Sequence, residues 1–150
     1  MITIRPLTDD DEAEWLRLRR DLWPDHEADE LRREMAAIRA DLDHQPVFVA
    51  ARPDGSLCGL VEVSIHSKAP GCRSGRIGYL EAWYVDPDCR KQGLGRHLVE
   101  AAEAWARSVG CLEMASDTTP AYPASPQAHA ALGYREVERY FRKDLLQPRQ

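Results

Sequence analysis

Gly93 and Gly95 stand at the head of a long helical pattern, with Arg90 three positions before the first of them. Backbone N–H groups at a helix start point outward at the positive end of the helix dipole, so such a segment can seat an anion. Glycine lets that backbone approach phosphate oxygens with no Cβ in the way. Arg90, Lys91 and Arg96 add positive charge here, in a chain whose formal net charge is −5. A phosphate or pyrophosphate ligand suits this pattern. Two other phosphate loops do not match it. A dinucleotide fingerprint would need a third glycine where Leu98 stands, and a P-loop would need Gly-Lys-Ser/Thr, which is absent. An ordinary loop before a helix with a basic first turn is the alternative.

Several carboxylates and aromatics carry two readings each. Glu81 lies in an apolar strand among Leu80, Ala82 and Trp83, so it is either solvated on one sheet face or held in a cleft. Asp117 ends a short strand, a place where aspartate commonly starts a turn. Glu138 reads as a solvated strand residue, and Trp23 before Pro24 as a core or rim aromatic. His44, His66, His97 and His129 have no ligand spacing with other metal-binding residue types, so no metal site is expected. Cys58, Cys72, Cys89 and Cys111 form no C-x-x-C pair, which argues against zinc and against a disulfide framework. Gly71-Cys-Arg-Ser74-Gly75 misses the nucleophile-elbow spacing by one residue.

The elements that must hold these residues alternate between strand and helix. Ile2 to Arg5 is a short strand, and Thr8 with Asp11 resembles a capping box before Trp15, Leu18 and Leu22 at helical spacing. Pro24 ends that helix. A second helix runs from about Asp29 to Leu42, with Leu31, Met35, Ile38 and Leu42 on one stripe. Val47 to Arg52 and Leu57 to His66 are strands joined by Pro53-Asp54-Gly55. Residues 67 to 75 form a loop, and Arg76 to Val85 the next strand. Gly93 to Val109 is the strongest helix, with Gly110 beyond it. Cys111 to Ser116 is a strand, Ser125-Pro126 starts a further helix as N-cap and first position, and Gly133 ends it. Tyr134 to Lys143 can supply final strand segments. This order is an α/β fold in which residues 76 to 116 form a parallel pair.

The 150 residues make one domain, 1–150, and the 43% apolar and 30% charged content is that of a globular protein. Net negative charge disfavours a nucleic-acid partner and suits cationic ligands better. The N-terminus lacks a basic and apolar leader, and no apolar run approaches a membrane span. A cytoplasmic location is the resulting expectation.

Arg90-x-x-Gly93-x-Gly95 after a strand resembles the Q/R-x-x-G-x-G/A motif of the GNAT N-acetyltransferase superfamily, which binds the pyrophosphate of acetyl-CoA. The setting agrees, since two helices follow the first strand and the motif sits between the fourth strand and the third helix. Leu22-Trp23-Pro24, Leu80-Glu81, Gly110-Cys111-x-Glu113-Met114-Ala115-Ser116-Asp117, and His129-x-Ala131-Leu132-Gly133 with Glu138-Arg139 are similar to the aminoglycoside 6′-N-acetyltransferases.

The resemblance implies a central mixed β-sheet flanked by about four helices. It also implies acetyl transfer from acetyl-CoA to the 6′-amine of aminoglycoside antibiotics, by direct attack in a ternary complex, conferring resistance. It places Arg90, Lys91, Gln92, Gly93, Leu94, Gly95 and Arg96 at the cofactor's pyrophosphate. The backbone of Trp83, Tyr84 and Val85 goes to its acetyl and pantetheine portion. Tyr122 stands where relatives carry an asparagine next to the cofactor. The polycationic acceptor is assigned Trp23, His26, Glu81, Asp117 and Glu138. Glu81 and Asp117 are the candidate catalytic carboxylates, with Glu81 taking the amine's proton directly or through a water. Tyr122 and Tyr140 are both available to protonate the leaving thiolate. The loop at 67 to 71 lacks the aromatic residue that relatives often turn toward the acceptor. A homodimer through the C-terminal strands, with Tyr140 and Phe141 near that end, is also implied. The alternatives are an acetyltransferase of another polyamine or a peptide amine, and a non-catalytic acetyl-CoA sensor. The three carboxylates favour an enzyme, because a sensor needs no acidic acceptor cleft.

Overall fold

Alternating apolar residues at the N-terminus form β1, Thr3–Pro6, which leads through a short turn into α1, Glu12–Leu22. The Asp11 carboxylate accepts the Thr8 N–H at 2.8 Å and the Arg5 guanidinium at 2.7 Å, and so fixes the approach to α1. The helix α2 spans Ala28–Arg39. Three strands follow, β2 at Val47–Ala51, β3 at Leu57–His66 and β4 at Ile77–Val85. The helix α3, Leu94–Ser108, and the strand β5, Glu113–Ser116, come next. The helix α4 is Ser125–Ala131. This computed structural model describes residues 1–146, as two compact units that divide after Asp117.

The first unit holds a five-stranded sheet in the order β1-β2-β3-β4-β5. Neighbours are antiparallel except β4 and β5, which form the expected parallel pair. Gly55, at φ +90°, closes the turn between β2 and β3, where the left-handed backbone requires glycine. α1 packs on β3, and α3 packs on β2, β3 and β4. From Leu57 to Val63 every residue of β3 is buried. Strands covered on both faces read as continuous apolar runs, which explains the lack of alternation there. Trp15 and Leu18 of α1, Leu31 and Met35 of α2, and Leu98 and Ala102 of α3 complete the core.

The one carboxylate inside that run, Glu62, is 3% exposed. Arg19 grips it with Nε at 2.7 Å and Nη2 at 2.9 Å, and Trp15 Nε1 donates to it at 2.9 Å. Burial opposes the charge on Arg19, but Glu62 and then Glu34 outweigh it and raise the guanidinium's pKa. Arg19 therefore stays charged. Removing one partner of such a pair typically costs roughly 3–5 kcal/mol.

Three expectations are corrected. The second helix ends at Arg39 rather than Leu42, because Asp41 bonds His44 Nδ1 at 2.7 Å and accepts Gln45 Nε2 at 3.1 Å, drawing the chain into turns. Ser125 is the first residue of α4 instead of its N-cap, and its hydroxyl lies 3.2 Å from His129 Nδ1. Tyr134 to Lys143 forms no strand among the described residues. A strand exists only through bonds to a neighbour, and apolar β-forming residues alone do not supply one. That segment holds local bonds instead, such as Arg139 Nη2 to Glu136 Oε2 at 2.7 Å. Tyr140 and Phe141 are 80% and 87% exposed. The four cysteines are free.

Candidate functional site

The site begins where two strands part. β5 pairs with β4 from Ile77↔Glu113 to Leu80↔Ser116 and then stops. β4 continues against β3 as far as Val85↔Gly59. From Glu81 to Val85, β4 has no described strand along its other edge. Glu81 stands at this fork. The β3 register passes from Glu62↔Ala82 to Val63↔Leu80, so Glu81 is the extra residue of a β-bulge. Bulges re-aim a side chain, and here an acidic one leaves an otherwise apolar strand with 39% of it exposed.

Past Val85 the chain is held firmly before it turns into α3. Arg17 of α1 donates to Asp86 at 3.0 Å and to the Leu57 carbonyl at 2.7 Å, and the Asp86 N–H bonds the Cys58 carbonyl at 2.8 Å. After a short turn at Pro87–Cys89, Lys91 has φ +65° and Gly93 φ +81°. A non-glycine residue in that region is strained, a feature that collects at ligand clamps. A Cβ on Gly93 would meet nothing closer than His97 Cε1 at 4.0 Å, so the space over the start of α3 is open. Lys91, Gln92 and Arg96 are exposed around it, and Leu94 is buried as the anchor of the first turn. These residues fit a pyrophosphate.

Gly95 also meets a packing requirement. A Cβ there would lie 3.3 Å from Trp83 Cζ2, and Trp83 Nε1 donates to the Gly95 carbonyl at 3.1 Å. This glycine lets the start of α3 pack against Trp83 of β4. The Arg90 side chain turns back as well, with Nε donating to the Val85 carbonyl at 2.8 Å and the guanidinium 5.5 Å over the Tyr84 ring. Burial, with the charges of Asp86 and Asp21 behind it, pushes the Tyr84 phenol up and keeps it protonated.

Glu81 and Asp117 are linked through two residues that the sequence reading left out of the site. His66, the last residue of β3, places Nε2 3.5 Å from Glu81 Oε2. Its ring stacks on Tyr79 with centroids 4.2 Å apart and planes at 16°. The Tyr79 hydroxyl donates to Asp117 Oδ2. The period-2 spacing of Tyr79 and Glu81 was the available signal for Tyr79. Nothing local marked His66.

Trp23 and His26 form a pair of their own beyond the end of α1, with centroids 5.8 Å apart. The Arg19 guanidinium lies 5.0 Å over the Trp23 ring while its nitrogens hold Glu62. Glu62 is opposite Ala82, the neighbour of Glu81. Contacts thus run from Trp23 to the residue beside the bulge. Tyr122, Glu138 and Tyr140 belong to the second unit. There the Tyr122 N–H closes a turn onto the Thr119 carbonyl at 3.0 Å, and the Tyr140 hydroxyl donates to Glu138 at 2.7 Å. Glu138 lies in irregular chain, where a strand was expected. Among the described residues no group of three or more His, Cys, Asp or Glu side chains is arranged to hold a metal ion. No described helix is long and apolar enough to cross a membrane.

The pattern of the Acetyltransferase (GNAT) family matches residues 14–134. The aminoglycoside N(6′)-acetyltransferase type 1 of Klebsiella aerogenes is 45% identical over 146 residues, covering 95% of this chain and 96% of that protein. The protein of the same name from Stenotrophomonas maltophilia is 42% identical, covering 95% and 94%. The structure of AAC(6′)-Iy in complex with the bisubstrate analogue CoA-S-monomethyl-acetylneamine superposes with a TM-score of 0.82 at 35% identity, covering 96% of this chain and 99% of that one.

Proposed function

The chain belongs to the GNAT family of acetyltransferases, and from that membership we propose that it transfers the acetyl group of acetyl-CoA to the 6′-amine of aminoglycosides, which confers resistance to them. The observation that carries this is the fork after Leu80 and Ser116, with the carboxylates of Glu81 and Asp117 joined there through His66 and Tyr79. Acetyl-CoA supplies an activated thioester carbonyl.

The chain does the rest. The start of α3, with Arg90, Lys91, Gln92, Gly93, Leu94, Gly95 and Arg96, holds the pyrophosphate. Backbone amides along Trp83, Tyr84 and Val85 hold the acetyl and pantetheine portion, and one of them donates to the oxygen on which charge develops. Glu81 and Asp117 draw in and orient the polycation, and Trp23 and His26 pack against its sugar rings. Glu81 then accepts the amine's proton, directly or through a water. A carboxylate beside an ammonium also raises that ammonium's pKa, so proton removal is coupled to attack. On the family likeness we assign Glu138 of the second unit to the acceptor and Tyr122 to the cofactor. Tyr122 or Tyr140 protonates the leaving thiolate.

Turnover of acetyl-CoA with kanamycin, tobramycin, gentamicin C1, spermidine and a peptide amine tests this reading. Kanamycin and tobramycin, which carry an unhindered 6′-amine, should be acetylated far faster than the last two. Faster turnover of spermidine or the peptide would overturn it.

The family pattern runs across the division at Asp117, and we take residues 1–150 as one domain. We also infer a homodimer formed through the C-terminal segment, whose Val137, Tyr140, Phe141, Leu145 and Leu146 are exposed. Apolar residues collected on one exposed segment commonly mark an interface. Sedimentation should give twice the 17.0 kDa chain mass, and a monomer at micromolar concentration would contradict this. Because the reaction consumes acetyl-CoA, we place the protein in the cytoplasm.

A further inference from the structure

We propose that His66 and Tyr79 are positioning residues of the acceptor site, joining Glu81 and Asp117 into one acidic unit with a fixed spacing. This rests on the acetyltransferase reading above and goes further, by saying what makes the site select a polycation. Tyr79 lies opposite Ser64 in the β3–β4 register, and His66 is two residues farther along β3. Such diagonal neighbours are within reach of aromatic side chains, and here the two rings stack face to face at 4.2 Å. Each ring then meets one carboxylate. His66 Nε2 is 3.5 Å from Glu81, and the Tyr79 hydroxyl donates to Asp117.

Asp117 is an exposed residue just past the end of β5, and Glu81 an exposed residue on a bulge. Neither backbone setting fixes its side chain. A bond from Tyr79 to Oδ2 leaves Oδ1 of Asp117 to accept an ammonium, and the stacked imidazole limits where Glu81 can swing. Preorganised acceptors do not lose that freedom again on binding. The consequence is specificity. Two ammonium groups at the matching spacing engage both carboxylates, whereas a monoamine engages one.

The test is a pair of double-mutant cycles. Tyr79→Phe keeps the stacked ring and removes only the hydroxyl, and His66→Phe keeps the stack and removes the ring nitrogens. The quantities to measure are the tobramycin dissociation constant with CoA bound, the acetyl-CoA KM, and Tm. Tyr79→Phe should weaken tobramycin roughly tenfold, as expected for loss of a charge-assisted contact, with acetyl-CoA KM and Tm unchanged. In an Asp117→Asn background the same change should have almost no further effect, and His66→Phe should behave likewise in a Glu81→Gln background. Losses that add independently, or that fall equally on acetyl-CoA KM and Tm, would overturn the proposal while the enzyme reading stands. A wild-type protein that neither binds nor acetylates tobramycin overturns both.

Discussion

Gly93→Asp should raise the dissociation constant for acetyl-CoA by roughly a hundredfold or more while leaving the protein folded. Gly93 precedes α3 with φ +81°, and a Cβ there points into open space, 4.0 Å from its nearest neighbour. An L-residue in the left-handed region costs roughly 1–2 kcal/mol, and aspartate is among those that tolerate it best. The fold can absorb that. The ligand cannot, because the new carboxylate stands where the helix start would receive a pyrophosphate. Like charges at close range repel, and the phosphate loses contacts to N–H groups worth about 1.5–3 kcal/mol each. About 2.7 kcal/mol corresponds to a hundredfold. Calorimetry with CoA and a thermal melt on one sample make the check. A well-folded Gly93→Asp protein with wild-type affinity would remove the phosphate seat from the start of α3. Gly95→Ala is the informative contrast. It would press on Trp83 at 3.3 Å, so its loss should appear in Tm as much as in affinity.

That contrast shows where sequence reading reached its limit. Both glycines fitted one motif and one explanation, yet Gly93 also answers to its backbone angle and Gly95 to its packing. Spacing along the chain does not carry the partner across the strand–helix contact, and Trp83 lies twelve residues from Gly95. The strands and helices of the first unit were legible because burial imposes period 2 or 3.6 on the residue types. The bulge at Glu81 was not, since it depends on how β3 and β4 align. Asp41 shortened α2 through side-chain bonds that compete locally with the helix. His66 illustrates the general difficulty. It has no ligand spacing, and its meeting with Glu81 and Tyr79 exists only once β3 and β4 are paired. At the C-terminus the error ran the other way, because Tyr140 and Phe141 have β propensity but no ladder among the described residues.

The arrangement also separates two jobs that share one strand. Up to Leu80, β4 is a structural strand with neighbours on both sides. Beyond it, β4 is the proposed ligand platform, supported by α1 through Arg17 and Asp86, and by Glu62 with Arg19. Rigid support suits a reaction that depends on holding a thioester and an amine in line. It also predicts that the two substrates fail independently when the site is altered.

Removing one acidic charge at a time should therefore depress acceptor use and leave the cofactor alone. Asp117→Asn keeps the side chain's shape but loses its charge. A charge-assisted hydrogen bond contributes about 1.5–3 kcal/mol, which is roughly a ten- to hundredfold fall in kcat/KM for tobramycin. Glu138→Gln should act in the same direction. Glu81→Gln should fall furthest, because it removes a charge and the proposed proton acceptor together, and general-base catalysis contributes about 10²–10⁴ in rate. Its deficit should lie in kcat as well as KM, whereas that of Asp117→Asn should lie mainly in KM. Acetyl-CoA KM should stay near wild type in all three, since the phosphates are assigned in our proposal to the start of α3. Added salt should weaken the wild-type acceptor interaction more than that of Asp117→Asn, because screening acts on the charge that the variant lacks. The measurement is kcat and KM for both substrates at two ionic strengths. If all three variants acetylate tobramycin like wild type at both, the carboxylates do not face the acceptor and the amine is bound elsewhere.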